Sequence, residues 1–87
     1  MERLWRRHQG DGLVIAPCNA IHTWFMRFSI DVLFVDRNGL VVQAVHALRP
    51  FRFASGRPTA TITIELPAGT LQRIGVGQGA HVRMEPA

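Results

Sequence analysis

The sequence predicts a small, mainly β domain: a partly closed antiparallel β-barrel of about six strands with one short helical turn. The first supporting observation is the stretch 30–35, which is apolar on both faces except at Asp31, as in a strand covered on both sides. The second is the run Asp36-Arg-Asn-Gly39, a typical hairpin turn because asparagine and glycine tolerate positive φ angles. The third is the alternation of polar and apolar residues over 59–66, which indicates a half-exposed strand.

Turn signals and alternation place the remaining elements. The first eleven residues are polar and end in a glycine-rich turn signal, and Pro17 ends the short strand that follows. Alternation over 22–28, ahead of a bend at Ser29, predicts a strand before the apolar one. Pro67 opens a helical turn, and Gly75 is placed to end it. The predicted elements are strands over 12–16, 22–28, 30–35, 40–48, 59–66 and 81–84, a loop over 49–58 and a short helical turn near 70–74.

Length and composition fit a single domain, 1–87. The 87 residues, 47% of them hydrophobic, are enough for one small core. No apolar run approaches the roughly 20 residues of a membrane span, and the chain as given shows no signal peptide, so we expect a cytoplasmic location. The single cysteine excludes an internal disulfide. The net charge is +4 with ten arginines and no lysine, and the scatter of the arginines argues against a dedicated nucleic-acid surface.

Short motifs from one end of the chain to the other form a family pattern. They are Ile21-His22-Thr23, Met26-Arg27-Phe28, Ile30-Asp31-Val32, Phe34, the turn at 36–39, Pro50, Glu65-Leu66-Pro67-Ala68-Gly69, Gly75 and Gly77. Over residues 4 to 82 they resemble domain-of-unknown-function family 192, a widespread bacterial and archaeal family of small, mainly β proteins. The resemblance implies a compact, β-barrel-like fold with little helix. It implies no established activity.

Three departures from the family pattern change what we expect. Ser29 stands where the family usually has proline, so the bend before Asp31 is less fixed. Gln78 stands where the family usually has aspartate, which puts an aspartate-mediated turn contact in doubt. The chain also begins late relative to most members, which carry an opening strand and often an export signal. Either the barrel closes differently, or a missing strand leaves an open edge that invites a homodimer, or the start is short.

The central stretch 18–36 holds the candidate ligand site. His22, Trp24 and Met26 share one predicted face, and together with Asp31 they suit a small apolar or sugar-like ligand. The alternative is a core face with a histidine hydrogen-bonded at its edge. The leading interpretation of function is a non-catalytic module that binds an unknown small molecule or sugar.

Asp31 is also the candidate catalytic residue. As a general base with its pKa raised by burial, it could act with His22 or Glu65 in a hydrolase-type enzyme. The structural alternative is a carboxylate that accepts backbone N–H groups at the Ser29 bend, or that pairs with Arg27 or His22. We favour the structural alternative.

Other reactive groups give weaker signals. A thiol–imidazole pair of Cys18 and His22 is disfavoured, because a four-residue separation brings side chains together only on a helix. A zinc site drawing on Cys18, His22, His46 and His81 lacks recognisable ligand spacing. We predict no metal and no cofactor.

The loop over 49–58 interleaves arginine with aromatic residues. Arg49, Arg52 and Arg57 could contact phosphates while Phe51 and Phe53 stack on bases, as in a nucleic-acid-binding accessory domain. The alternative, which we favour, is a solvated loop whose phenylalanines pack onto the barrel. A polyanion or an anionic cell-envelope sugar is a related partner. Specific nucleic-acid binding is not expected, because the chain predicts no helix long enough to serve as a recognition helix.

Overall fold

The computed structural model describes the backbone of residues 3–6 and the whole of residues 12–24 and 26–83. These residues form two antiparallel sheets and one short helix. The larger sheet has five strands in the order β1-β2-β7-β4-β5, and the smaller sheet pairs β3 with β6. The elements are β1 (Arg3–Arg6), β2 (Leu13–Ala16), β3 (Ala20–His22), β4 (Ile30–Asp36), β5 (Val41–Leu48), β6 (Phe53–Ser55), β7 (Ala60–Pro67) and α1 (Thr70–Ile74).

The mainly β fold with one short helix is confirmed, but the partly closed barrel is not supported. Within the described residues neither sheet closes on itself, because β1 and β5 lie at opposite edges of the larger sheet. The barrel was inferred from the stretch 30–35, which is buried on both faces. Two separate layers bury it instead, the smaller sheet on one face and α1 on the other.

One face of β4 packs against the smaller sheet, and we call it the strand side. It carries Ile30, Val32 and Phe34, all buried. Ile21 of β3 and Ala54 of β6 lie directly opposite each other and pack on this core. Because side chains alternate along a strand, the neighbours of Ile21 and Ala54 on β3 and β6 are directed away from the core.

The other face of β4 packs against α1, and we call it the helix side. Leu71 of α1 is buried against Leu33 and Val35. Gly75 ends the helix as predicted: its φ is 72°, and its N–H donates to the carbonyl of Leu71 at 2.9 Å. No helix in the described part of the chain has both the length and the apolar character needed to span a bilayer.

The hairpin turn between β4 and β5 is also confirmed. Oδ1 of Asp36 accepts the N–H groups of Asn38 at 2.8 Å and Leu40 at 3.0 Å. Gly39 has a φ of 88°, and a Cβ there would collide with the carbonyl oxygen of Val82, so only glycine fits this turn.

The strand predicted over 22–28 is wrong beyond His22. Thr23 directs its backbone and hydroxyl toward the segment 49–52 instead of continuing the ladder, and residues 26–29 lie in bends and irregular structure. The segment predicted as an unbroken loop over 49–58 therefore contains β6, the pairing partner of β3.

Both ends of the described chain also differ from the prediction. The polar N-terminal segment, in which no strand was predicted, contains β1, which pairs with β2 along four residues, so the edge of β2 is covered. The strand predicted over 81–84 is reduced to a single bridge between Leu40 and His81, and residue 84 lies outside the described residues.

Candidate functional site

The smaller sheet presents four exposed rings on its outward face, and we call them the aromatic surface. His22 and Phe53 lie directly opposite each other in the β3–β6 pair, so they share that face. Trp24 follows β3 and Phe51 precedes β6. Trp24 is 43% exposed, Phe51 63% and Phe53 66%, which is unusual for such large apolar side chains.

Trp24 pairs with two of the other rings, His22 and Phe51. The ring centroids of His22 and Trp24 are 5.8 Å apart with an interplanar angle of 26°, a stacked arrangement. Those of Trp24 and Phe51 are 6.4 Å apart with an angle of 36°. Both distances lie within the range of favourable offset aromatic pairs. Trp24 therefore links His22 and Phe51 into one cluster of exposed rings, which we call the platform.

Thr23, between His22 and Trp24, ties this part of the chain to the segment that carries Phe51. It is buried, and its hydroxyl donates to the carbonyl of Arg49 at 2.6 Å and accepts the N–H of Arg52 at 2.9 Å. Its own N–H donates to the carbonyl of Arg52, and its carbonyl accepts the N–H of Phe51 at 2.9 Å. These bonds hold Phe51, whose φ of 60° is strained for a phenylalanine, next to Trp24.

The role of Thr23 was missed from the sequence. Its hydroxyl partner Arg49 is 26 residues away, so no local pattern reveals the contact. The one available signal is a β-branched hydroxyl residue within an aromatic run, which is compatible with an ordinary strand position.

The loop phenylalanines do not pack onto the core as expected. Phe51 and Phe53 are exposed, and so are Arg49, Arg52 and Arg57. Nη1 of Arg52 donates to the backbone carbonyl of Phe51 at 3.4 Å. The interleaved aromatic and basic residues predicted as a candidate interface therefore face solvent.

Met26 and Asp31, the other two predicted ligand residues, lie elsewhere. Met26 is half-buried and packs against the strand-side core. Asp31 is completely buried, and its register partner Leu66 is part of the helix-side core. The structure thus brings His22 and Trp24 together at one surface and separates Asp31 from them by the thickness of the larger sheet.

The carboxylate of Asp31 is held by backbone donors, though not at the Ser29 bend. Oδ1 accepts the N–H of Ala47 and Oδ2 accepts the N–H of Leu71, both at 2.9 Å. Burial raises the pKa of Asp31, but hydrogen bonds from Ala47, Leu71 and Gly69, together with nearby His46, outweigh it and hold the pKa below its ordinary value of 3.8. Asp31 is therefore an ionised carboxylate with an anchoring role.

Glu65 lies on the opposite face of the sheet from Asp31. Its register partners are Val32 of β4 and Leu13 of β2, which places it on the strand side. It is half-buried, and burial raises its pKa above the ordinary value of 4.5. The two carboxylates therefore lie on opposite faces of the larger sheet, and they cannot share a substrate in one cleft.

The hydrogen-bond partner of Cys18 is a backbone carbonyl. The thiol of Cys18 donates to the carbonyl of Ala20 at 3.1 Å rather than to an imidazole. Within the ranges 12–24 and 26–83, no three side chains of histidine, cysteine, aspartate or glutamate lie close enough together to hold a metal ion.

Comparison with known proteins finds one matching family and two relatives. A family model for domain-of-unknown-function family 192, described as "Uncharacterized ACR", matches residues 4–84. A UPF0127 protein of Thermococcus sibiricus is 36% identical over 66 residues, which cover 76% of this chain and 42% of that protein. A UPF0127 protein of Pyrococcus furiosus is 35% identical over 60 residues, covering 69% of this chain and 51% of that protein. The chain thus matches about half the length of these relatives, and no solved structure matches it.

Proposed function

Because this chain belongs to domain-of-unknown-function family 192, whose description names no activity, we propose a function from its own geometry: it is a non-catalytic module that binds carbohydrate at the aromatic surface. The observation that carries the proposal is the exposure of Trp24, Phe51 and Phe53 around the platform. Contiguous exposed apolar patches on small domains mark interaction sites.

A sugar ring suits this platform better than a compact apolar ligand does. The apolar C–H face of a sugar ring can lie flat on stacked aromatic side chains, while its hydroxyls stay at the rim in water. The rim offers the His22 imidazole and, on the same outward face of β6, the exposed Ser55. A few polar groups around an apolar wall are the usual means of fixing a ligand's orientation.

The carboxylates support a binding role over the hydrolase alternative. Asp31 uses both oxygens to hold backbone N–H groups on the helix side, so it is not a free base. Glu65 lies on the strand side, and in the described residues no hydrogen bond joins Asp31 to His22 or Glu65. A two-carboxylate mechanism needs both groups at one scissile bond.

The fluorescence of Trp24 tests the proposal directly. A Trp5→Phe background leaves Trp24 as the single indole of the two in the chain. Titration with a panel of neutral and acidic oligosaccharides should shift its emission for at least one member. Trp24→Ala and Phe51→Ala, followed by calorimetry, should each weaken that binding by at least about tenfold, as for anchor residues of an interface.

Phe28→Ala is the matched control, since Phe28 is 67% exposed but stands outside the aromatic surface. It should leave the affinity unchanged. The proposal fails if no oligosaccharide binds, or if Phe28→Ala weakens binding as much as Trp24→Ala does.

A further inference from the structure

We infer that the ligand of this surface is an acidic polysaccharide, whose sugar rings lie on the aromatic surface and whose carboxylates pair with Arg49 and Arg52. The inference rests on the proposed carbohydrate-binding function and adds the chemical class of the ligand. It is carried by the distribution of charge over the described residues and by the bonds that tie the backbone of both arginines to Thr23, next to Trp24.

Exposed charge on the described part of the chain is of one sign. Every exposed side chain that is charged at neutral pH there is an arginine, whereas the three described acids are buried or half-buried. Asp31 is under α1, Asp36 bonds to its own turn, and Glu65 lies within the larger sheet. A surface of one sign attracts ligands of the opposite sign and raises their local concentration. The exposed arginines are Arg27, Arg37, Arg49, Arg52, Arg57, Arg73 and Arg83.

Two of these arginines have their backbone bonded to Thr23, the residue between His22 and Trp24. Thr23 bonds to the carbonyl of Arg49 and to both backbone groups of Arg52, so the segment that carries these side chains is held in one conformation. The guanidinium of Arg52 stays close to Phe51. Guanidinium groups bind carboxylates through two parallel N–H bonds, which gives direction as well as charge. A uronate ring on the platform would therefore have guanidinium groups near its carboxylate.

The ring geometry favours a polysaccharide over a single-stranded nucleic acid. Proteins that bind single strands stack successive bases on aromatic side chains along a basic groove. Here the Trp24 ring already pairs with His22 on one side and with Phe51 on the other, so the three rings form one cluster rather than separate stacking positions. A sugar ring can cover such a platform, whereas consecutive bases would compete for it.

Matched probes separate charge from sugar binding. Calorimetry at about 0.15 M salt, where long-range attraction is screened, would compare a galacturonate tetramer with its methyl ester, which keeps the ring and removes the charge. The acid should bind at least about tenfold tighter, the value of one charge-assisted contact. Arg52→Gln should abolish most of this preference, and Arg73→Gln, on the helix side, should preserve it.

Thr23 supplies a second, independent variant. Thr23→Ser keeps the hydroxyl and should keep the preference for the acid, whereas Thr23→Val removes the hydroxyl and should reduce the preference. Thermal melts establish that each variant is folded before it is titrated, and Arg52→Gln decides the matter if Thr23→Val does not fold.

Three outcomes would overturn the inference, and they differ in what else they overturn. If the methyl ester binds as tightly as the acid, the ligand is a neutral sugar and the carbohydrate-binding function stands. If neither tetramer nor any other oligosaccharide shifts the Trp24 emission, both proposals fail. If a 15-residue oligothymidylate binds tighter than the acid and displaces it, the surface is a nucleic-acid site.

Discussion

At the residue scale, one carboxylate joins three elements of the fold. The register of β4 with β5 shifts between Ile30 and Val32, which leaves two residues of β5 opposite Asp31 alone. Ala47, one of these two, has a φ of 51°, and its N–H donates to Asp31 instead of to the ladder. The same carboxylate accepts the Leu71 N–H in the first turn of α1. Asp31 thus satisfies the donors that a bulge and a helix start leave unpaired.

Substitution of Asp31 should be costly at neutral pH. An asparagine side chain has one acceptor oxygen, so its amide group would face a backbone N–H, and we expect Asp31→Asn to lose about 1–3 kcal/mol of stability. Because the pKa of Asp31 is lowered on folding, its stabilisation is present above the unfolded value and is lost as the pH falls through the folded pKa. Thermal melts from pH 3 to pH 8 should show the gap between wild type and variant closing toward acid.

Asp36 provides the control for this substitution. It also accepts two N–H groups, but in a turn at the surface, so Asp36→Asn should cost less than Asp31→Asn. A variant at position 31 as stable as wild type at neutral pH would contradict the anchoring role and return Asp31 to the candidate bases.

Ionisation of Glu65 should lower the stability of the fold, whereas ionisation of Asp31 raises it. Burial raises its pKa, so the folded state binds the proton more tightly than the unfolded state, and stability falls as the pH rises from the unfolded pKa through the folded one. Glu65→Gln, which cannot ionise, should therefore melt at a higher temperature than wild type at pH 7. Below the ordinary value of 4.5 both proteins are uncharged at this position, so the difference should disappear.

A lower melting temperature for Glu65→Gln at pH 7 would contradict this expectation. It would mean that the carboxylate gains more from a partner in the folded state than it loses through burial.

At the scale of elements, the chain just after β6 lies close to the larger sheet at Gly56. A Cβ added there would lie 2.6 Å from the ring of Phe34, closer than real Cβ contacts allow. The ring lies in the buried core and cannot move aside without disturbing its neighbours, so Gly56→Ala should destabilise the domain by about 1–3 kcal/mol. Urea unfolding followed by Trp24 emission would measure the loss.

Gly77→Ala is the matched control, since no atom lies within 4 Å of a Cβ placed there. It should be neutral or slightly stabilising. Equal effects of the two substitutions would contradict the close approach of the two layers at Gly56.

The elements that the sequence predicted are those with local signals. β4, β7 and α1 have buried runs, alternation or end residues that identify them within their own segments. β3 and β6 were missed as a pair because three-residue strands carry little periodicity, and their pairing depends on contacts between segments about 30 residues apart in sequence. A strand covered by separate layers is apolar on both faces, as it would be in a barrel, so the pattern of 30–35 could not distinguish the two.

The candidate site was predicted in part for the same reason. His22 and Trp24 were identified from their chemistry, and they do lie together. Met26 and Asp31 were grouped with them by extending strand alternation past His22, where Thr23 turns the chain. Phe51 was noted only as part of the basic loop, because nothing local places it beside Trp24.

At the scale of the whole molecule, the sheet edges bear on the predicted homodimer. β1 covers β2 at one edge. At the other edge β5 has two register irregularities against β4, and Val41 exchanges hydrogen bonds with residues 79 and 80. Bulges and short covering segments are ways in which proteins limit pairing between edges. The homodimer stays a prediction, and it no longer follows from a missing opening strand.

Surface charge should make stability depend on salt. The exposed arginines repel one another over the roughly 30 Å Debye length of 0.01 M salt, but much less over the roughly 8 Å of 0.15 M salt. We therefore expect the melting temperature to rise between these two concentrations of sodium chloride. Scanning calorimetry measures the shift.

The variant Arg37→Gln removes one positive charge from the turn after β4 and should reduce the dependence on salt. A melting temperature that falls with added salt would indicate that attractive ion pairs outweigh the repulsion.

In the two-stranded layer of β3 and β6, neighbouring residues have two different roles: one set packs the core and the other faces solvent. Ile21 and Ala54 close the core, while His22 and Phe53, their sequence neighbours, meet the solvent. A change at an outward position alters the exposed surface and leaves the core packing untouched, so it carries little risk of unfolding. If this layer binds carbohydrate as proposed, its ligand preference can change one outward residue at a time while the inward residues keep the domain folded.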